Sequence, residues 1–223
     1  MDFIHYWHEK IVLVTGHDGA LGSVVTKVFA KHGAEVVGFK VDNSDRLDVT
    51  NPETVRKAVY DLTAKHGRID VLLNTVGAWS PQSEVAKMDD LTLEKLININ
   101  LRSVFVMCRA VLPGMIDRQF GRIVNVGARQ GIKGSGRDAA YGVSKAGVIS
   151  LTEAIADEVA EYGITCNVVI PSIIDTNKNR ESMPMADFKS WVNPVHIAEI
   201  MAFLCGPNGG SVNGASIPIW NRS

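Results

Sequence analysis

Tyr141-Gly142-Val143-Ser144-Lys145 sets a phenol and an ammonium four residues apart. On a helix, positions i and i+4 share one face. A cation beside a phenol favours the phenolate, so the pair reads as a proton donor drawn below the ordinary tyrosine pKa of about 10. Reaching about 7 requires roughly 4 kcal/mol, at about 1.36 kcal/mol per unit. A close ammonium in a dry site can supply much of that. The chemistry served is proton delivery to an atom that is gaining electrons. The spacing alone is common by chance, so its meaning depends on what the rest of the chain brings to it.

The flanking pattern alternates strand and helix. Ile11-Val12-Leu13-Val14 is a β-branched run that predicts a buried parallel strand. Further strands are expected over 35–39, 69–74, 122–126, 164–170 and 215–220. Helices are expected over 21–32, closed by Gly33, and from Pro52 to about His66, closed by Gly67. Two more stretches cover 92–98 and 101–119, the second interrupted at Pro113-Gly114. A glycine-rich loop leads to a helix over 141–162. A polar loop, a short helix near 185–191 and a helix over 194–204 complete the chain. This order predicts an α/β fold, a single-domain Rossmann-type doubly wound parallel sheet of about seven strands spanning residues 1–223. Such sheets bind ligands at the carboxyl ends of their strands, near the switch in strand order.

Thr15-Gly16-His17-Asp18-Gly19-Ala20-Leu21-Gly22 follows the first strand and opens the first helix. Glycines allow a tight turn and close backbone approach, and a helix N-terminus offers free N–H groups with a positive dipole end. In this context the loop reads as a pyrophosphate cradle for a dinucleotide.

Composition narrows the rest. The chain has 223 residues, 46% of them hydrophobic and 21% charged, with a net charge of −1. That suits a globular chain with a substantial core. No basic excess points to nucleic acid, and the apolar runs look too short and broken to cross a membrane. Met1 to Lys10 lacks the order of a signal peptide. Cys108, Cys166 and Cys205 are far apart in apolar settings and read as buried thiols. A cytoplasmic protein acting on a small molecule is expected.

Taken together, these residues resemble the short-chain dehydrogenase/reductase family over nearly the whole chain. The resemblance implies NAD or NADP as cofactor. It makes Gly16, Ala20, Leu21 and Gly22 the cofactor loop. Asp48-Val49 matches the segment that meets the adenine, and Asn74-Thr75-Val76-Gly77 the segment beside the adenine ribose. Asn100 matches a catalytic Asn in a kinked helix that holds a proton-relay water. Tyr141 matches the acid, and Lys145 the residue that binds the ribose. Pro171-Ser172-Ile173 with Thr176 matches the segment at the nicotinamide carboxamide. A homodimer or homotetramer is implied, built on the helices over 101–119 and 141–162. The second strand ends in Lys40, where an acid would select NAD, with Asp42 two residues on. Lys40 either pairs with a 2′-phosphate or is a solvated strand-end charge. His17 is a further group expected to face that pocket.

One family residue is missing. A Ser is usual thirteen residues before the Tyr, and here that position is Ala128. Losing one such donor typically costs about 3 kcal/mol of transition-state stabilisation. Arg129, Gln130 and Ser135 are the nearby replacements. The segment Asp175-Thr176, Asn179-Arg180, Met183-Pro184, Ala186-Asp187-Phe188 and Trp191 resembles the loop of dihydropteridine reductases, a branch that also has Ala in place of that Ser. Gly77-Ala78-Trp79 resembles its G-G-W, so Trp79, Ala128 and Met183 are expected to line the substrate site. Met183, Met185 and Phe188 would form an apolar lid, Trp191 would pack against a helix, and Arg180 could pair with Asp187. A quinonoid dihydropterin spreads incoming hydride charge over its own heteroatoms and needs less help from a hydroxyl. Three activities follow: reduction of a dihydropterin or similar conjugated substrate, reduction of an ordinary carbonyl, or cofactor sensing without turnover.

Overall fold

The central strands of the sheet send alternate residues into two different cores. The computed structural model describes residues 6–39 and 47–222. The strands are β1 (Ile11–Thr15), β2 (Glu35–Phe39), β3 (Val71–Asn74), β4 (Gly121–Val126), β5 (Ile164–Pro171) and β6 (Ser216–Ile219). Leu13, Leu72, Ile123 and Val168 enter one core, while Val12, Val14, Val71, Leu73, Val124 and Val169 enter the other. A strand has a side-chain period of two, so burial on both faces requires these near-continuous apolar runs.

The helices are α1 (Gly22–Lys31), α2 (Pro52–His66), α3 (Asp90–Leu96), α4 (Ser103–Asp117), α5 (Arg129–Ile132), α6 (Ala139–Val159), α7 (Asn177–Ser182) and α8 (Pro194–Cys205). Helices α2, α4 and α6 cover the first core with Val55, Met107, Val111 and Val148. Helices α1 and α8 cover the second with Val25, Phe29, Ile197 and Met201. The sheet is all parallel in the order β2-β1-β3-β4-β5-β6. The order reverses between β1 and β3, and Thr15 pairs in register with Asn74 there. That crevice is where the Gly-rich loop and the Asn74–Gly77 segment both emerge.

Four expectations need correction. About seven strands were expected, and the described residues form six. The two separate helices before β4 are one continuous run. A six-residue π segment, Ile97–Arg102, joins α3 to α4, and Pro113 lies inside α4 without ending it. Burial of Val111 and Met115 on either side of Pro113 offsets its missing N–H. The resulting run, Asp90–Asp117, is long and apolar enough to cross a membrane by length and composition, contrary to the impression of short, broken apolar runs. Here its Leu96, Val104, Met107 and Met115 are buried. The polar loop after β5 contains α7, whose N-terminus is capped by the Thr176 hydroxyl accepting from Asn179 N–H.

Candidate active site

Backbone shape builds the nucleotide cradle. β1 ends at Thr15, and Gly16 turns the chain with φ of +67°, a region that suits glycine. Gly16 N–H donates to Phe39 C=O at 2.8 Å, and Gly19 N–H donates back to Gly16 C=O at 2.9 Å. Helix α1 follows its N-cap Leu21 with no side chain capping it, and Ser23 N–H donates back to Gly19 C=O at 2.9 Å, tying the helix start to the loop. A Cβ on Gly22 would lie 1.9 Å from Gly16 C=O oxygen and 2.8 Å from Thr75 Oγ1. The loop is therefore wound too closely for any side chain there. This fits a pyrophosphate held by backbone N–H groups at a helix N-terminus. Gly22→Ala is expected to abolish measurable NADPH binding by fluorescence titration; retained affinity would mean the loop tolerates a shifted path. Leu21 packs its side chain into the core and Ala20 is exposed.

The Thr75 hydroxyl donates to Thr15 C=O at 2.6 Å, and Thr75 N–H donates to Thr15 Oγ1 at 3.2 Å. These bonds lock the ends of β1 and β3 together. Asn74 turns inward, with its amide donating to Asn125 Oδ1 at 2.8 Å, so of this residue only the backbone remains for a ligand. Asp48 Oδ1 accepts from Thr50 N–H and hydroxyl at 2.9 and 2.7 Å. Val49 and Val76 both pack on the first core, so any ligand contact there also falls to backbone. His17 lies across Gly38: a Cβ on that glycine would meet the His17 ring at 2.3 Å. Lys40 and Asp42 lie outside the described residues.

The reacting end is assembled from α6, the π segment and the ends of β3 and β4. Asn100 is fully buried. Its Oδ1 accepts from Ala78 N–H at 2.7 Å and its Nδ2 donates to Ala78 C=O at 2.9 Å, so the side chain grips both peptide groups that flank Ala78 in the loop after β3. The same Nδ2 donates to Ser144 Oγ at 2.9 Å, and Ser144 donates to Tyr141 C=O at 2.7 Å. A π segment widens the helix where this clamp is made, as such bulges commonly do at functional sites. Lys145 Nζ donates to Val126 C=O at 2.8 Å. A Cβ on Gly77 would come within 3.3 Å of Lys145 Nζ and 3.5 Å of Asn100 Oδ1. Asn100, Gly77, Tyr141 and Lys145 are thus brought together.

The electrostatics run against the expected phenolate. Burial pushes the Tyr141 phenol up to about 12, and the Asp138 carboxylate adds to the rise. Burial draws the Lys145 ammonium down to about 8. Desolvation disfavours both charged forms and outweighs the attraction expected from the i, i+4 spacing. In this geometry Tyr141 is a protonated acid, and the Lys145 charge is the group that changes near neutral pH.

On the substrate side, Ala128 is buried at the end of β4, next to the Lys145–Val126 contact. Trp79 is 55% exposed, and its indole N–H donates to Asp138 Oδ1 at 3.3 Å. Arg129, one candidate replacement for the absent hydroxyl, lies 5.3 Å from the Trp220 ring. Ser135 is exposed. Pro171 ends β5 in the sheet, Ile173 C=O accepts from Val192 N–H, and Thr176 caps α7. Arg180 pairs with Asp175 at 2.6 and 2.8 Å, not with Asp187, which instead caps the 3-10 turn Phe188–Ser190. Met183 is half-buried, but Met185 is 95% exposed, and Phe188 spends its ring on Trp191 at 4.8 Å. Met185 and Phe188 therefore do not form the expected apolar lid with Met183. Trp191 is buried, as a packing residue should be.

Two residues of this cluster escaped the sequence reading. Ser144 and Asp138 flank Tyr141 at i+3 and i−3, the spacing that puts them on the tyrosine's face of α6. That periodicity was the available signal.

Comparison with known proteins fits this geometry. The family model described as short chain dehydrogenase matches residues 45–187. The chain belongs to the short-chain dehydrogenase family. It is 30% identical over 233 residues to the 3-oxoacyl-[acyl-carrier-protein] reductase FabG of Vibrio cholerae, covering 94% of this chain and 95% of the relative. It is 31% identical over 242 residues to the acetoacetyl-CoA reductase of Allochromatium vinosum, covering 94% and 96%. Among solved structures, levodione reductase superposes with a TM-score of 0.90 at 26% identity, covering 96% of this chain and 97% of that one. ElxO with NADP bound gives 0.88 at 25% identity, covering 94% and 96%. This short-chain dehydrogenase is an NAD(P)-dependent oxidoreductase. The relatives named here are ketoacyl reductases, so the likeness to dihydropteridine reductases rests on sequence motifs, the Asp175–Trp191 loop, Gly77-Ala78-Trp79 and Ala128.

Proposed function

We propose that this short-chain dehydrogenase reduces the carbonyl group of a small molecule at the Tyr141 cleft. The observation that carries the reading is the convergence of Tyr141, Lys145 and the Asn100–Ser144 clamp beside the carboxyl ends of β3 and β4. When bound, a reduced nicotinamide cofactor supplies the hydride. The Gly16–Gly22 loop and α1 would hold its phosphates, and the backbone from Asn74 to Gly77, Val49 and Asp48 would line the adenosine side. Pro171, Ile173 and Thr176 would meet the carboxamide. Tyr141, protonated at neutral pH, gives its proton to the substrate oxygen. Lys145 holds the ribose and refills the tyrosine. Asn100 positions the Ala78 peptide and the start of the proton path.

The missing hydroxyl at Ala128 favours a substrate that needs little help with developing charge. That supports a second reading, reduction of a quinonoid dihydropterin, along with the loop from Asp175 to Trp191. The deciding experiment compares initial rates on acetoacetyl-CoA and on freshly generated quinonoid dihydropterin with NADH and NADPH. Faster thioester turnover supports the first reading, and faster pterin turnover supports the second. Tight cofactor binding with no turnover of either would leave a sensing role. Ala128→Ser is expected to raise kcat on a simple ketone by about tenfold or more, since it restores one donor. An unchanged rate would mean that another donor already acts there.

The exposed faces of α4 and α6 support a homo-oligomer. Phe105, 44% exposed, lines a mostly apolar groove with Ile97, Leu101, Gly147 and Leu151, and Val143, 58% exposed, lies one helical turn before Gly147. Light scattering on the purified chain should give a dimer or tetramer mass; a monomer at micromolar concentration would overturn this.

A further inference from the structure

Asp138 is the wrong way round for a helix cap. It occupies the N-cap position of α6, where an Asp ordinarily accepts from the N–H groups of the first turn, yet its side chain makes no such bond. The carboxylate turns away from the helix. Its Oδ1 takes the Trp79 indole N–H at 3.3 Å, and its Oδ2 takes the Gln82 amide at 3.4 Å. Both distances lie beyond the usual range of about 2.7–3.2 Å for N–H···O bonds. The residue is only 7% exposed. With two long bonds and no ion pair to it among the described residues, each carboxylate oxygen retains acceptor capacity. The carboxylate lies one turn before Tyr141 and is felt by its phenol. The same cleft has lost a donor at Ala128. Asp138 therefore presents its acceptors beside the half-exposed Trp79 indole, at the start of the helix that carries Tyr141.

We propose that Asp138 is a specificity-determining residue that accepts a hydrogen bond from a ring N–H of a planar, carbonyl-bearing heterocycle lying against Trp79. The inference rests on the reading that the Tyr141 cleft is the substrate site. An N–H donor completes the carboxylate's shell, and the anion excludes substrates that would set a carboxylate or phosphate there. A flat ring suits the indole face. An acyclic acyl thioester offers no such donor close to its reacting carbonyl.

Isatin and N-methylisatin differ only at this group. Their affinities for the NADP⁺ complex should be measured by calorimetry for the parent chain, Asp138→Asn and Asp138→Ala, with cofactor affinity as the check of folding. The parent should bind isatin at least about tenfold more tightly than N-methylisatin. Asp138→Ala should bring the ratio to within about twofold by weakening isatin alone, with Asp138→Asn between them. A ratio near one in the parent would overturn the proposal, as would a ratio unchanged in Asp138→Ala or no binding of either compound. Turnover of the same pair with NADPH separates the two readings. Selective binding without reduction keeps the Asp138 assignment and rejects carbonyl reduction at this site.

Discussion

Tyr141→Phe is expected to lower kcat for carbonyl reduction by about 10³-fold, roughly 4 kcal/mol of barrier. NADPH affinity should stay within about twofold, because the cradle from Gly16 to Gly22 makes no contact with the phenol. The sign of the pH dependence follows from the two shifts. The phenol, raised to about 12, keeps its proton through the neutral range. The ammonium, lowered to about 8, loses its charge first. Reduction needs the acid protonated and the cation present, so kcat/KM should be level below about pH 7 and fall as pH rises through about 8. A profile of kcat/KM from pH 6 to 10, with kcat of the Phe variant at pH 7, checks both statements. Near-normal turnover by the variant would remove Tyr141 from its role as acid.

The parts of this site that could be read from the chain are those fixed by backbone periodicity. The β-branched run Ile11–Val14, the glycines after Thr15 and the four-residue spacing of Tyr141 and Lys145 each have a local physical meaning, and each lies where that meaning puts it. What escaped reading depends on desolvation and on side-chain direction. The spacing places an ammonium near a phenol but does not say how deep the pair is buried, and depth decides the direction of both shifts. Asp138 has the residue type and position of a helix cap, and only the side-chain direction reveals that it serves the cleft. Pro113 looks like a helix end until the core packing on both sides of it is known. Arg180 has two acidic neighbours within reach in sequence, and the turn of α7 selects Asp175.

Burial of Lys145 also makes the catalytic site a stability cost, and its removal should show this. The Lys145→Met variant should be nearly inactive, with kcat/KM lower by about 10³-fold or more, yet no less stable than the parent at pH 7. An unfolded lysine keeps its proton to about pH 10.4. The folded one gives it up at about 8. Between these values the unfolded state binds more protons, so stability rises with pH across that window and is lowest below it. The difference corresponds to about 3 kcal/mol carried against the fold at pH 7, at about 1.36 kcal/mol per unit. Methionine has nearly the same length and no charge to desolvate. Loss of the bond to Val126 C=O returns about 1.5–3 kcal/mol of that, as is usual for a bond from a charged donor. The net expectation is between no change and about 1.5 kcal/mol of stabilisation at pH 7. The sharper test is the comparison across pH. Urea denaturation at pH 7 and pH 10.5 should show the parent gaining about 3 kcal/mol relative to the variant. A variant that is clearly less stable at pH 7, with the parent showing no relative gain at high pH, would mean that the ammonium is solvated or paired in the fold. Lys145 would then act from an environment much closer to water than its burial indicates.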